Sequence, residues 1–204
     1  MRYRQGDLPN ALLDAVEAAV RVHGVSALSL RDVTRRAGVS HGAPAHHFRN
    51  KAGLLAAFAA QGYESLGHTV AAEIAGTAGG HDGADVLAAI GRGYVRFAVE
   101  HPAHFEVMFR LDALDVDDQS FQAASDAAYS LLTSTIEQCR AEGRLGDLDP
   151  EVVTVSAWSL VHGLAALLIS GRLSDRIREQ DPNRLAAAVS KLFVDSVLGA
   201  PDPS

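Results

Sequence analysis

From Val152 to Gly171 the chain reads VVTVSAWSLVHGLAALLISG, 20 residues without one Asp, Glu, Lys or Arg. A helix of that length and composition either crosses a bilayer or is covered by protein on every side. The stretch carries Thr154, Ser156, Ser159, His162 and Ser170, which fit a protein interior better than a lipid one. The expectation is therefore no membrane, but burial against the chain's own domain on one side and against a second copy on the other. The following segment supports this, because Leu185, Ala188, Val189, Leu192, Phe193 and Val197 form an apolar stripe at helical spacing. Two such helices per subunit would make four in a homodimer, joined through helices 150–171 and 182–198.

Elsewhere, apolar residues again recur at helical spacing between start and stop signals, and no alternating strand pattern stands between turns. Helices are expected over about Leu8–His23, stopped by Gly24, and Leu30–Ala37, capped by Ser29 and ended by Gly38. A third runs from a Ser40 cap to about Phe48, and a fourth from an Asn50 cap at Lys51 to about Ile74. Further helices are expected over Ala84–His101, Pro102–Arg110 and Ser120–Glu142. The last two begin at Asp149-Pro150 and Asp181-Pro182, each an N-cap followed by proline at the first helical position. The glycine-rich Thr77–Gly83 and the acidic Asp112–Asp118 are expected loops. The latter lacks the glycine turn and distal Glu of a calcium loop. An aromatic fraction of 6% fits an all-α chain, and 48% hydrophobic with 21% charged residues is globular.

Cys139 is the single cysteine, so no internal disulfide and no cysteine metal knuckle can form, and a reducing compartment fits. MRYRQGDLPN has two arginines but no apolar run and cleavage site behind them, so a cytoplasmic location is expected.

The formal charge of -7 is unevenly divided. Residues 1–51 hold eight basic residues (Arg2, Arg4, Arg21, Arg31, Arg35, Arg36, Arg49, Lys51) against four acids, a local +4, so the remainder carries -11. A basic head of this kind suits a polyanionic partner, which the average charge conceals. Within it, Ser29–Ser40, SLRDVTRRAGVS, has the layout of helix, glycine turn and capped second helix that makes a helix-turn-helix. In that unit the second helix enters the major groove while arginines and helix N-termini hold phosphates.

The continuation AGVSHGAPAHHFRNKAGLL resembles the TetR family of bacterial transcriptional regulators over about Leu8–Leu55, in its order of glycine turn, serine cap, His47-Phe48 and Lys51. WSLVHG, Trp158–Gly163, is similar to the Trp-x-x-x-His-Gly signature of one C-terminal branch of that family, and EHPAHFEVMF, Glu100–Phe109, resembles the same branch. The resemblance implies a helix-turn-helix DNA-binding domain over 1–52 and a larger helical effector-binding and dimerisation domain over 53–204. It places His41, Gly42, Ala43, Ala45 and His46 on the groove-facing surface, joined by Arg31, with Pro44 and Phe48 turned inward. Ser29, Ser40, His47 and Lys51 fall at positions that hold phosphates, which fix register without reading sequence. Ala43, Pro44 and Ala45 replace the family's usual threonine, aliphatic residue and tyrosine. Specificity should therefore lean on His41, His46, Arg31 and DNA shape, and the recognition helix should begin late or tightly.

For the body, the resemblance implies a small-molecule pocket among the central helices, near Tyr94, Phe97, Phe105, Met108, Phe109, Tyr129, Trp158 and His162. The implied function is a ligand-responsive dimeric repressor, bound to a double-stranded DNA operator and released by an unidentified small-molecule effector. No cofactor, no metal site and no enzymatic activity are expected. Two other readings stand beside it: a helical partner-binding protein with a non-functional helix-turn-helix, and a metal-binding enzyme using His101 and His104 across Pro102. Cys139 reads as a packing residue, with a redox sensor as its alternative.

Overall fold

The computed structural model describes residues 8–77, 82–177 and 181–198. Part of the expected Thr77–Gly83 loop and the arginines Arg2 and Arg4 lie outside these residues. Within them the chain is all-helical, in the order α1 (Leu8–His23), α2 (Leu30–Ala37), α3 (Ala45–Phe48), α4 (Lys51–Ala75), α5 (Gly83–Glu100), α6 (Pro102–Met108), α7 (Gln119–Ala141), α8 (Pro150–Ile169) and α9 (Pro182–Val197).

Local chemistry sets most of these boundaries. Ser29 Oγ accepts from Asp32 N at 3.2 Å to start α2, and Asn50 Oδ1 accepts from Gly53 N at 2.9 Å to start α4. Asp149 and Asp181 accept from Glu151 N and Asn183 N, ahead of Pro150 and Pro182. Gly38 ends α2 in the left-handed region at φ 67, and with Val39 N donating to Thr34 O it closes the helix end. The acids of Asp112–Asp118 form a loop with separate local partners. Asp112 pairs with Arg110, and Asp118 Oδ1 accepts from Ser120 N and Phe121 N at the start of α7.

The third helix departs from expectation. Ser40 does not cap it: α3 starts at Ala45 and its N-cap position is Pro44, with no side-chain cap bond. Proline has no N–H to donate back to Ser40 O, so residues 40–44 close through three-residue steps instead, Ala43 N to Ser40 O and Ala45 N to Gly42 O. The late start expected from Pro44 is therefore present, and Pro44 itself is buried.

Contacts divide the chain into two compact units. The first comprises Met1–Glu64 and His101–Ser125, the second Ser65–Glu100 and Asp126–Ser204, so α4 and α7 each run through both. α6 packs against α1 and so lies with the N-terminal helices in the first unit. In the first unit Leu12, Val16, Val20, Val33, Leu54, Phe58, Val107 and Met108 are buried. Glu106 of α6 accepts from Val25 N at 3.0 Å, and Arg110 donates to Ser26 Oγ at 3.3 Å. Asp115 N donates to Ala52 O at 3.2 Å.

In the second unit α5 packs against both α8 and α9. Its glycines permit the approach: a Cβ on Gly91 would meet Ser190 of α9 and Val161 of α8, and one on Gly93 would lie 2.8 Å from Val70 Cα of α4. Leu87, Leu132, Ile136, Cys139, Leu145, Val153 and Ala157 form the core there. Cys139 is buried, and burial pushes its thiol up to about 11, which suits packing rather than redox exchange.

Candidate nucleic-acid interface and effector-side residues

The first helix of the helix-turn-helix carries three arginines, but they are not equivalent. Arg36 Nε donates to Asp32 Oδ2 at 2.6 Å and Arg35 pairs with Asp32 Oδ1, so one carboxylate ties both to their own helix. The bond from Arg36, then that from Arg35, hold the Asp32 carboxyl below its usual range. Arg21 is likewise paired with Glu17. Arg31 is exposed and has no ion pair among the described residues, which leaves it available to DNA.

Around it the expected contact residues fall on the outside of the unit. Ser29, Ser40, His41, Gly42, Ala45, His46 and His47 are exposed, while Ala43 and Lys51 are half-buried. His41, Gly42 and Ala43 lie in the turn before α3, and only Ala45, His46 and His47 lie on the helix itself. Phe48 is half-buried beneath His47, with ring centroids 6.2 Å apart. Lys51 opens α4, where its charge adds to the positive helix end.

Between α3 and α4 stands Arg49, to which the sequence alone assigns charge but no role. Its backbone has φ 61 and ψ -55, and Asn50 N donates to Phe48 O at 2.6 Å across it, a γ-turn of the rare positive-φ kind. Such a conformation costs a non-glycine residue roughly 1–3 kcal/mol. The reversal is tight enough that a Cβ on Gly53 would collide with the Phe48 carbonyl oxygen, so glycine is required there. Arg-Asn-Lys between two helices is the sequence signal, but positive φ at an arginine has no propensity signature.

The expected effector-side residues are shared between the two units. Phe105, Met108 and Phe109 belong to the first, with Met108 fully buried and the two phenylalanine rings edge to face at 5.2 Å. Tyr94, Phe97, Tyr129, Trp158 and His162 belong to the second. Here the structure supplies what the sequence could not, a partner for His162: its Nδ1 lies 2.9 Å from Tyr94 Oη. Trp158 Nε1 donates to the same hydroxyl at 3.4 Å, and Tyr129 lies beside Trp158 with centroids 6.1 Å apart. An indole can only donate, so Tyr94 accepts from Trp158 and has its own proton to give to His162 Nδ1. Burial lowers the His162 pKa, favouring the neutral ring that this arrangement requires. Phe97 is fully buried core, whereas Tyr129 and Trp158 are partly open, 46% and 39% exposed.

Another histidine is more enclosed. His104 is buried, its ring stacked on Phe58 at 3.9 Å, with Nε2 3.4 Å from Gln61 Oε1 and no hydrogen-bond partner for Nδ1. Burial first, then the charges of His101 and Arg21, push its pKa down to about 4. Among the described residues no three His, Cys, Asp or Glu side chains stand together as metal ligands.

α8 is long and apolar enough to cross a membrane by length and composition. Val153, Thr154, Ala157, Val161, Leu164 and Ala165 form its buried face, while Val152, Val155, Leu160 and Leu167 are exposed with Trp158, and Leu192 of α9 is 65% exposed.

A helix-turn-helix with an exposed basic surface, joined to a helical body, defines a class of DNA-binding regulator, and the comparisons agree. The family model "Bacterial regulatory proteins, tetR family" matches residues 12–58, and "Tetracyclin repressor-like, C-terminal domain" matches residues 87–192. The chain belongs to the TetR family of transcriptional regulators. No curated protein matches it. Among solved structures, a Rhodococcus sp. RHA1 protein of unknown function is 27% identical with a TM-score of 0.79, over 98% of this chain and 100% of that one. The TetR family regulator PfmR from Thermus thermophilus has 17% identity and a TM-score of 0.70, over 90% and 97%. The fatty acid degradation regulator FadR from Bacillus halodurans has 14% and 0.73, over 94% and 97%. The last two share the fold alone at such identities.

Proposed function

We propose that this TetR-family regulator is a homodimeric repressor whose operator contacts are Arg31, His41, Gly42, Ala43, Ala45 and His46 toward the groove and Ser29, Ser40, His47 and Lys51 toward phosphates. The observation that carries this reading is the exposure of Arg31, Ser40, His41, His46 and His47, none of whose side chains makes a hydrogen bond or ion pair among the described residues, with Ser29 beside them at the start of α2. With two alanines and a buried proline in the recognition segment, sequence discrimination falls to Arg31, His41, His46 and DNA shape. The apolar faces of α8 and α9 support dimerisation through these helices, which covers surface that water would otherwise meet. On this reading the protein works in the cytoplasm.

The effector is a small molecule held near Tyr94, Trp158 and His162, where a mostly apolar setting carries a few polar handles. It releases DNA by binding more tightly to the arrangement in which the two heads are wrongly spaced. α4 is the proposed lever, since one continuous helix leads from Lys51 to Ala75. Fluorescence anisotropy against the protein's own promoter DNA and a scrambled duplex, across a salt series, tests the core of this proposal. A preference for the promoter at ~150 mM salt, with affinity falling steeply as salt rises, supports it. Equal affinity for promoter, genomic fragments and scrambled DNA at every salt concentration overturns it.

A further inference from the structure

We propose that Arg49 is a further anchor on the DNA backbone, presented by the γ-turn that joins α3 to α4. The inference rests on the DNA-binding reading of the N-terminal helices, and two independent observations carry it beyond that reading.

The first concerns the backbone. Arg49 is the one non-glycine residue with positive φ among the described residues. A glycine would make the same turn without strain, so the turn alone does not account for an arginine. Nor does packing, because the side chain is 85% exposed. Its ion-pair partner is Asp115, whose carboxylate lies 3.7 Å from Nη1, a loose surface pair of the kind that contributes little to stability. The strained residue is thus held for something outside the folded unit.

The second concerns charge. Arg21 is matched by Glu17, and Arg35 and Arg36 share Asp32. Among the described residues, the basic side chains of the head that are tied to none of its own carboxylates are therefore Arg31, Arg49 and Lys51. Arg49 stands in the chain two residues after exposed His47 and two before Lys51, both of them proposed phosphate contacts. Its fork of donors suits a phosphate better than the single distant carboxylate it faces in the free protein.

Phosphate contacts carry no base information, which makes the proposal separable from sequence reading. The test uses the full-length protein with Arg49→Gly and Arg49→Lys, measured by anisotropy on promoter and scrambled duplexes across a salt series beginning at low salt, with a thermal melt of each variant. Arg49→Gly is expected to melt no lower than the parent, since glycine relieves the turn. It should nevertheless bind both duplexes roughly tenfold more weakly at ~150 mM salt, with the slope of log affinity against log salt shallower by about 0.9 per protomer. Arg49→Lys keeps the parental slope. An unchanged slope and affinity in Arg49→Gly overturns the proposal while leaving the regulator reading intact. A loss confined to the promoter duplex, or one that follows a lower melting temperature, also overturns it. If the unmutated protein binds neither duplex even at low salt, the proposal and the reading beneath it fail together.

Discussion

Acidification should weaken this fold chiefly through one side chain, His104, before Asp32 and Asp112 contribute. In the unfolded chain His104 takes up a proton as pH falls through about 6.5, whereas in the folded protein it does so only at about 4. The neutral ring is what the fold accommodates, stacked on Phe58 with His101 and Arg21 nearby to oppose a positive charge. Stability is therefore complete above about pH 6.5, falls as pH drops toward 4, and levels off below that. Each pH unit of separation is worth about 1.4 kcal/mol, so the loss is at most about 3.5 kcal/mol and on the order of 2–3 kcal/mol after partial screening. His162, also lowered by burial, adds a loss of the same sign. Asp32 and Asp112, held below 3.8 by their arginines, act only at more acid pH. Urea unfolding midpoints from pH 7 to 4.5 at fixed protein concentration, compared with those of His104→Leu, isolate the effect. The variant should lose a slope of about one proton. Parallel curves for the two proteins, or an imidazole of the folded protein assigned to His104 by NMR that titrates near 6.5, would refute the reasoning.

Gly93→Ala should destabilise by about 1–3 kcal/mol and more than Gly62→Ala, because a Cβ at 93 meets the Val70 backbone whereas one at 62 meets chiefly the Met108 side chain, which can turn aside. Reversed order in denaturant midpoints would contradict this. Ser29→Ala should cost about 1 kcal/mol through loss of the bond to Asp32 N. An unchanged midpoint would mean that this cap contributes nothing to stability. Leu167→Glu, on the exposed face of α8, should shift the sedimentation-velocity mass from dimer to monomer without lowering helix content. A retained dimer would move the interface elsewhere.

Much of the fold is a local matter, and local matters can be read from the chain. The caps Ser29, Asn50, Asp149 and Asp181 and the stop at Gly38 act within four residues of themselves, so the sequence alone determined where α2, α4, α8 and α9 begin and where α2 ends. The segment proposed to face DNA is legible for the same reason, since its residues follow one another along the chain. The start of α3 is less legible, because Ser40 looks like a cap and it is the missing N–H of Pro44 that prevents the first turn from closing behind it.

What the tertiary structure decided depends on residues far apart. Nothing near His162 announces Tyr94, 68 positions away, and nothing near Val25 announces Glu106, 81 positions away. The grouping of α6 with the N-terminal helices likewise follows from packing, because α6 lies against α1. Periodicity and capping record which residues a helix buries and where it stops. They carry no term for which other helix lies against that face, because that choice is made by shape and by the pairing of buried polar groups once distant segments meet.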